Sequence, residues 1–490
     1  MQNAIIIGAG ISGMATAIRL AARGFNVDVF EQSDKPGGKI AQFTKEGFRF
    51  DMGPSLFTMP EYVEELFQIA GVEVSDNFSY NKLEVVTKYF YEDGTEIIAY
   101  SDPEKFAEEI ALKTEEDAVR VKKYLDKSKE LYTITAQVFI RSSLHHLPNF
   151  FSRPFLKAYS KVYKLNAFRS MHSENSRWFS DERVIDLFDR FATYNGSNPY
   201  LAPATLNVIP HLEHNIGAFF PEKGMYGIID SLYNLARQLG VDFHFNEPVE
   251  RLEAEAKKVK SITTAKGNKH SGIVVSSIDV HAFYKDIYPE PAKLKKIEKQ
   301  QRSTSALIFY WGIDKEFPML DMHNILFSSN YREEFEHLFS KKTIYHDPTV
   351  YIFISSKQMS EDAPEGKENW FVMINVPENN GHDWDELKQE ARKHIISKIN
   401  RMLNTDIEDL VLFEESLDPE GIESRTSSYK GSLYGSSSNS RFSAFRRHPN
   451  FSSDIEGLYF TGGSVHPGGG IPLCLSSAAI VDESILKKSR

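Results

Sequence analysis

Cysteine is nearly missing from this chain: its 490 residues include one, Cys474. One thiol closes no internal disulfide and does not point to a metal site, and it fits a reducing compartment. Long apolar runs are missing as well. No window approaches the ~18 consecutive apolar residues of a transmembrane helix. The apolar run at residues 4–7 starts so near Met1 that no cleaved leader is expected, and the chain is expected in the cytoplasm. Positive charge is in deficit. Against 68 Asp and Glu stand 57 Lys and Arg, and the net charge of -11 offers no general field for nucleic-acid phosphates. Metal-ligand spacing is absent, so no metal is expected, and no Ser-His-Asp arrangement is readable. The pair His145-His146 has no partner motif and is expected at the surface. There is no repeat of fixed period, and the short stretch Gly435-Ser436-Ser437-Ser438 reads as a loop.

What is present is a globular composition, 41% hydrophobic and 26% charged, in a chain longer than one ordinary domain. Residues 4–7 read as a buried strand, 8–13 as a Gly-rich turn, 12–23 as a helix, and 27–30 as a second strand ending at Glu31. That order opens a doubly wound parallel sheet. Residues 104–175 read mostly helical, and 226–240 as an amphipathic helix stopped by Gly240. Strands are expected at 241–245, 249–252 and 273–276. The aromatic β-rich stretches 305–313, 349–356 and 369–377 suggest an antiparallel sheet, followed by a charged helix at 383–402. The end repeats the opening: a strand at 458–461, a Gly-rich loop, and a helix from about Leu473. The expected fold is α/β. A Rossmann-type nucleotide-binding domain (1–75, 220–280 and 415–490) interleaves with an α+β substrate domain (a substrate and membrane-associated region at 76–219 and a sheet at 281–414) that carries a helical membrane-facing segment.

Gly8, Gly10 and Gly13 form the G-x-G-x-x-G fingerprint. Gly8 permits the tight turn, Gly10 lets backbone approach a pyrophosphate, and Gly13 lets helix and strand pack closely. The helix end presents free N–H groups and a positive dipole end to phosphate. The Glu31 carboxylate can accept from both ribose hydroxyls. This motif alone leaves NAD and FAD open. Two further stretches favour FAD. The first is Gly37-Gly38-Lys39 followed by Asp51-Met52-Gly53-Pro54-Ser55, a second approach to the pyrophosphate and the ribityl chain. The second is residues 462–472, where small residues let backbone lie flat against a planar ring. A helix from Leu473 would aim its dipole at the negative edge of reduced flavin.

Together these pieces resemble the carotenoid (phytoene-type) desaturase family of FAD-dependent oxidoreductases, more distantly related to amine oxidases. The resemblance is carried by residues 8–13, Glu31, Gly37-Gly38, residues 51–60, Glu247-Pro248-Val249, Asp347-Pro348, residues 363–366 and residues 462–472, spread over nearly the whole chain. It implies that Glu31 holds the ribose, that Val249 meets the adenine through its backbone, and that Gly470 and Ile471 lie beside the isoalloxazine. The cofactor-contact set is then Gly8, Gly10, Ile11, Ser12, Gly13, Glu31, Gln32, Gly38, Lys39, Gly53, Pro54, Ser55, Val249, Gly463, Gly470, Ile471 and Pro472. The family often has Arg where Lys39 stands, and related flavoproteins often have an acid where Gly463 stands. Val465 and Leu473, where phytoene desaturases usually have Thr and Gly, make the ending resemble hydroxycarotenoid 3,4-desaturases.

The resemblance implies a carotenoid substrate that loses a hydride to FAD and a proton to an acceptor the sequence does not name. His466 is a candidate, with a structural role bonded to backbone as the alternative. Phe309, Tyr310, Trp311, Tyr351, Phe353, Trp370 and Phe371 either line an apolar tunnel or fill a core. Residues 131–173 contain no Asp or Glu. On a helix, Phe155, Tyr159 and Val162 would share one face and Lys157, Lys161 and Lys164 another. That composition suits peripheral attachment to an anionic membrane surface, or else a helix packed on its own domain with a solvated basic face. Phytoene desaturation, carotenoid isomerisation, amine oxidation and a non-enzymatic escort remain as alternatives. The oligomeric state stays unknown.

Overall fold

The computed structural model describes residues 2–489. Five short strands form one parallel sheet in the order Leu458–Phe460, Val274–Ser276, Asn3–Ile7, Asn26–Phe30, Asp242–His244. Its strands come from the start, the middle and the end of the chain. They read as nearly continuous apolar runs because both faces of the sheet are covered. Ala4 and Ile6 pack with Met14, Ile18, Leu232 and Val481, residues of the helices Ile11–Ala21, Tyr226–Gln238 and Ile471–Ser489. Ile5 and Ile7 point the other way, onto Val249, Leu252 and Tyr284. Part of that cover is an antiparallel sheet of Val249–Glu255, Lys258–Thr264 and Gly267–His270.

The aromatic stretches form the centre of a seven-stranded sheet. Its order is Val411–Leu417, Ser305–Ile313, Glu368–Val376, Val350–Ile354, His323–Leu326, Val85–Phe90, Glu96–Tyr100. All neighbours are antiparallel except His323–Leu326 beside Val85–Phe90. Alternation along the strands separates the aromatics. Phe309, Trp311 and Trp370 face the helix Trp384–Leu403 and form a core with Ile395 and Ile399. Tyr310, Phe353 and Phe371 face the opposite side, packing with Phe43, Phe48 and Phe50. Four of the strands, Val85–Phe90, Glu96–Tyr100, His323–Leu326 and Val411–Leu417, lie outside the stretches expected to be strands, although Val85–Phe90 is rich in β-branched and aromatic residues.

Residues 103–216 are largely helical, led by Pro103–Lys113 and Ala118–Thr135. The expected basic helix is broken up. Arg153–Tyr159 is one short helix and Val162–Leu165 a separate 3-10 turn closed by Asn166 at φ 50°. Phe155 is therefore not on an outer face with Tyr159 and Val162. It turns inward onto Val138 and Leu144, while Tyr159 and Val162 stay exposed. Lys164 is not free either, being paired with Glu130. Among the described residues, no helix is long and apolar enough to cross a membrane.

The chain's ends are locked together across the first and last helices. Arg23 donates from Nε and Nη2 to the two carboxylate oxygens of Asp482 at 2.6 and 2.7 Å. Arg19, buried, lies 3.9 Å from the same carboxylate and 2.7 Å from Glu65. A bidentate pair with its acid buried is costly to break from one side. Asp482→Ala is expected to lower stability by about 2 kcal/mol, seen as a lower urea midpoint with the secondary-structure spectrum unchanged.

Candidate functional site

The fingerprint turn is set by contacts that admit no side chain. A Cβ on Gly13 would sit 2.1 Å from the Gly8 carbonyl oxygen, and one on Gly8, at φ +97°, would meet Ser277 Oγ at 2.6 Å. The strand and helix can meet this closely only with glycine at these points. Gly10 is different: a Cβ there meets nothing within 4 Å. The helix that follows has no side-chain cap and no acid in its first turn. Its leading N–H groups, at Ile11, Ser12 and Gly13, are thus left for an anion. Gly37 N donates to Ala9 O at 3.0 Å, which lays the second Gly-rich turn across the first, with Gly38 beside Gly10. Open space over Gly10 and an uncapped helix end fit the pyrophosphate of FAD.

Glu31 ends the second strand, buried against this turn. Its carboxylate accepts from Ala9 N at 2.7 Å and from Ser33 N at 2.9 Å. Gln32, next along, is exposed. The Glu31 carbonyl accepts from Glu247 N at 2.9 Å, which brings in the strand that starts at Val249. Ribose- and adenine-side candidates therefore gather at one edge of the parallel sheet.

Lys39 is positioned less simply than its neighbours. Its ammonium donates to Leu433 O at 2.8 Å and to Ser432 O at 3.4 Å. The side chain keeps accessible surface, yet protein surrounds it, the mark of a residue lining internal space. Burial lowers its pKa, opposed by the nearby Asp279. Cys474 lines the same region, and burial pushes its thiol up to about 11, so it stays protonated.

The C-terminal loop reaches the fingerprint directly, since a Cβ on Gly462 would stand 3.0 Å from Ser12 Oγ. Gly463 doubles back on Gly469, and Gly470 at φ +109° faces open space. The helix starts at Ile471, so Ile471 and Pro472 belong to its first turn rather than preceding it. Gly53, Pro54 and Ser55 approach from elsewhere. Met52 N donates to Ala41 O at 2.8 Å, which ties the stretch to the segment that follows Lys39. Ser55 Oγ lies 2.7 Å from the Tyr351 hydroxyl, and Gly53 faces the Phe371 ring.

His466 is buried, with Nε2 2.9 Å from Ser142 O. Burial pushes it down to about 3, so the ring is neutral. His145 is half-buried rather than exposed, 3.3 Å from Phe445 O, and the His146 ring packs on Phe451. The sequence reading passed over the strap at residues 432–435. Tyr434 packs on Gly469, and Gly435 lies against Gly463. Its only signal was the small-residue run at 435–438, which resembles any loop. A depression bounded by Glu316, Lys357 and Glu365 is lined by none of these residues, and its side chains are nearly all polar or charged.

The profile of flavin-containing amine oxidoreductases matches residues 11–481. The chain is 48% identical over 485 residues to 1-hydroxycarotenoid 3,4-desaturase of Flavobacterium sp. (strain P99-3), covering 99% of each. It is 32% identical to 4,4'-diapolycopene oxygenase of Methylomonas sp, covering 99% of this chain and 98% of that one. An oxidoreductase structure from Methanosarcina mazei superposes with a TM-score of 0.66 at 16% identity, over 99% of this chain and 100% of the other. Putrescine oxidase bound to putrescine gives 0.65 at 14% identity, over 99% of both chains. These two share the fold.

The contrast between Gly10 and Gly13 is testable. Gly10→Ala has room for its methyl group, so the apoprotein should unfold at the wild-type urea concentration while FAD affinity, by fluorescence titration, falls at least about tenfold. Gly13→Ala must push the helix off the strand and should cost the apoprotein about 3 kcal/mol.

Proposed function

We propose, from the premise that this chain belongs to the family of flavin-containing amine oxidoreductases and uses FAD, that it desaturates a carotenoid, forming the 3,4 double bond of a 1-hydroxylated polyene. The observation that carries this reading is the end-to-end likeness, at 48% identity, to a protein bearing that activity. Bound FAD supplies the two-electron oxidation by accepting hydride from carbon. The chain's part is to hold the polyene beside the Gly53–Ser55 and Gly470–Pro472 stretches and to keep water away. The inward face of the large sheet suits this. Tyr351 and Met373, paired across two of its strands, keep accessible surface beside the buried rings of Phe353 and Phe371, and none of these side chains is charged. An uncharged polyene is held by area of this kind, whereas an alkylammonium substrate needs an anionic partner.

Such a substrate resides in a bilayer, and we place the protein peripherally on the cytoplasmic membrane face. The support is an outward patch on a segment without acids: Leu147, Phe151, Tyr163 and Phe168 are 77%, 80%, 74% and 88% exposed. Arg153 and Lys157 are exposed among them, Arg169 is exposed but paired with Glu174, and Arg441 lies over the Phe168 ring. Apolar side chains this exposed mark an interaction surface, and interspersed cations favour anionic headgroups.

Incubation of the FAD-loaded protein with liposomes carrying a 1-hydroxycarotenoid is expected to give a product lighter by two hydrogens. An unchanged mass with a shifted spectrum would mean isomerisation and overturn the desaturase reading. Replacing Phe151, Tyr163 and Phe168 by Ser is expected to reduce sedimentation with anionic liposomes at least about tenfold, given the apolar area removed. Unaltered sedimentation would refute the docking surface.

A further inference from the structure

Buried polar side chains elsewhere in the fold are mostly closed among themselves, as in the Arg49–Asp51–Asp362 and Lys398–Asp347 groups. Other buried polar atoms lack partners, both ring nitrogens of His214 among them, but one open chain of three stands beside the Gly53–Ser55 stretch. The Tyr351 hydroxyl lies 2.7 Å from Ser55 Oγ and 2.8 Å from His323 Nδ1, and His323 Nε2 is buried without a partner. Apolar rings flank this chain. His323 stacks on Phe353 at 5.3 Å, and Phe371 meets Tyr351 edge-on at 6.1 Å. Tyr351 and Ser55 keep accessible surface although the strand around Tyr351 is buried, so they face interior space.

We infer that the Tyr351 hydroxyl, held between Ser55 and His323, is the subsite that receives the terminal hydroxyl of the polyene. This rests on the desaturase reading above. Hydrogen counting supports it. Burial, helped by the Arg190 charge, pushes His323 down to about 3, so the ring is neutral and carries one N–H. Two hydroxyls and that N–H bring three hydrogens to two links, leaving one unused. If the chain ran from Ser55 to His323, the spare hydrogen would sit on Nε2, an unpartnered donor in apolar surroundings. The opposite direction runs from His323 Nδ1–H to Tyr351 and from Tyr351 to Ser55. It leaves the Ser55 O–H free, beside an unused lone pair on Tyr351. An alcohol both donates and accepts, so it matches such a site. Among the described residues, no Asp or Glu bonds to any of the three, and Glu213, the acid that acts on Tyr351 electrostatically, is itself paired with Arg190.

Spacing agrees. In a 1-hydroxylated polyene oxidised at the 3,4 bond, oxygen and reacting carbons are separated by about 4 Å of carbon chain. The group that grips the oxygen must therefore stand next to the reaction centre. Ser55 belongs to the stretch assigned to the cofactor, so the two requirements meet at one place. Tyr351 is then a positioning residue that decides which bond is presented.

The test uses FAD-loaded wild type and Tyr351→Phe with liposomes carrying a 1-hydroxycarotenoid or the same polyene without its hydroxyl. Tyr351→Phe should lower kcat/KM for the hydroxylated polyene at least about tenfold more than for the other polyene, chiefly through KM. His323→Leu should act in the same direction, and it carries the test if Tyr351→Phe fails to retain FAD. A variant that keeps the wild-type preference, or a wild type that converts both polyenes equally well, overturns the subsite alone. A wild type that removes hydrogen from neither polyene overturns the desaturase reading and the subsite with it.

Discussion

The approach of the first helix to the first strand is the constraint on which the rest of the molecule depends. With 2.1 Å between the Gly8 oxygen and the place where a Gly13 Cβ would stand, the helix lies as near the sheet as backbone permits. That closeness points an uncapped helix end at the open space over Gly10. It also leaves room for residues from the far end of the chain, because Gly462 slots beside Ser12 and Thr461 N bonds to Ser276 O at 2.9 Å. A larger residue at position 13 would displace the helix on which the C-terminal helix packs. The nucleotide cradle and the closure of the chain therefore share one packing requirement.

Around that cradle the protein separates two environments. The parallel sheet gathers polar and backbone groups suited to phosphate and ribose, with Glu31 tied to the glycine turn itself. The seven-stranded sheet turns an apolar face inward, toward the stretch that carries Gly53 and Ser55. Strand alternation makes this possible, since the same strands send Phe309, Trp311 and Trp370 outward to a helix and keep Tyr310, Phe353 and Phe371 inward. Within that face, a neutral open chain of three polar groups is costly unless something completes it. A hydroxyl-bearing ligand does so without introducing charge.

The segment at residues 147–168 follows another logic. Its short helices leave large apolar side chains in the open, at a cost in water that the inward turn of Phe155 and Leu165 only partly offsets. The pairing of Lys164 with Glu130 anchors one end of the segment and leaves Lys157 to the outer surface. The membrane contact proposed above rests on that composition.

Local patterns in the sequence determined the part of this protein built on the parallel sheet. The strand, turn, helix and strand through Glu31, the strands near 274 and 458, and the helices near 226 and 471 are written in contiguous residues, because a buried parallel strand and a phosphate-binding turn each need a distinctive run. The aromatic stretches at 305–313, 349–356 and 369–377 were legible as strands for the same reason. Which of their rings face the interior was not, since that depends on register against neighbours such as Val411–Leu417. Tertiary structure alone decided the inward turn of Phe155, the tie of Lys39 to the strap at Leu433, the seat of Tyr434 on Gly469, and the meeting of Ser55 with Tyr351 and His323. The partners in these contacts lie tens to hundreds of positions apart, or turn on how a helix ends. Their geometry comes from packing of the assembled sheets, which no local propensity encodes.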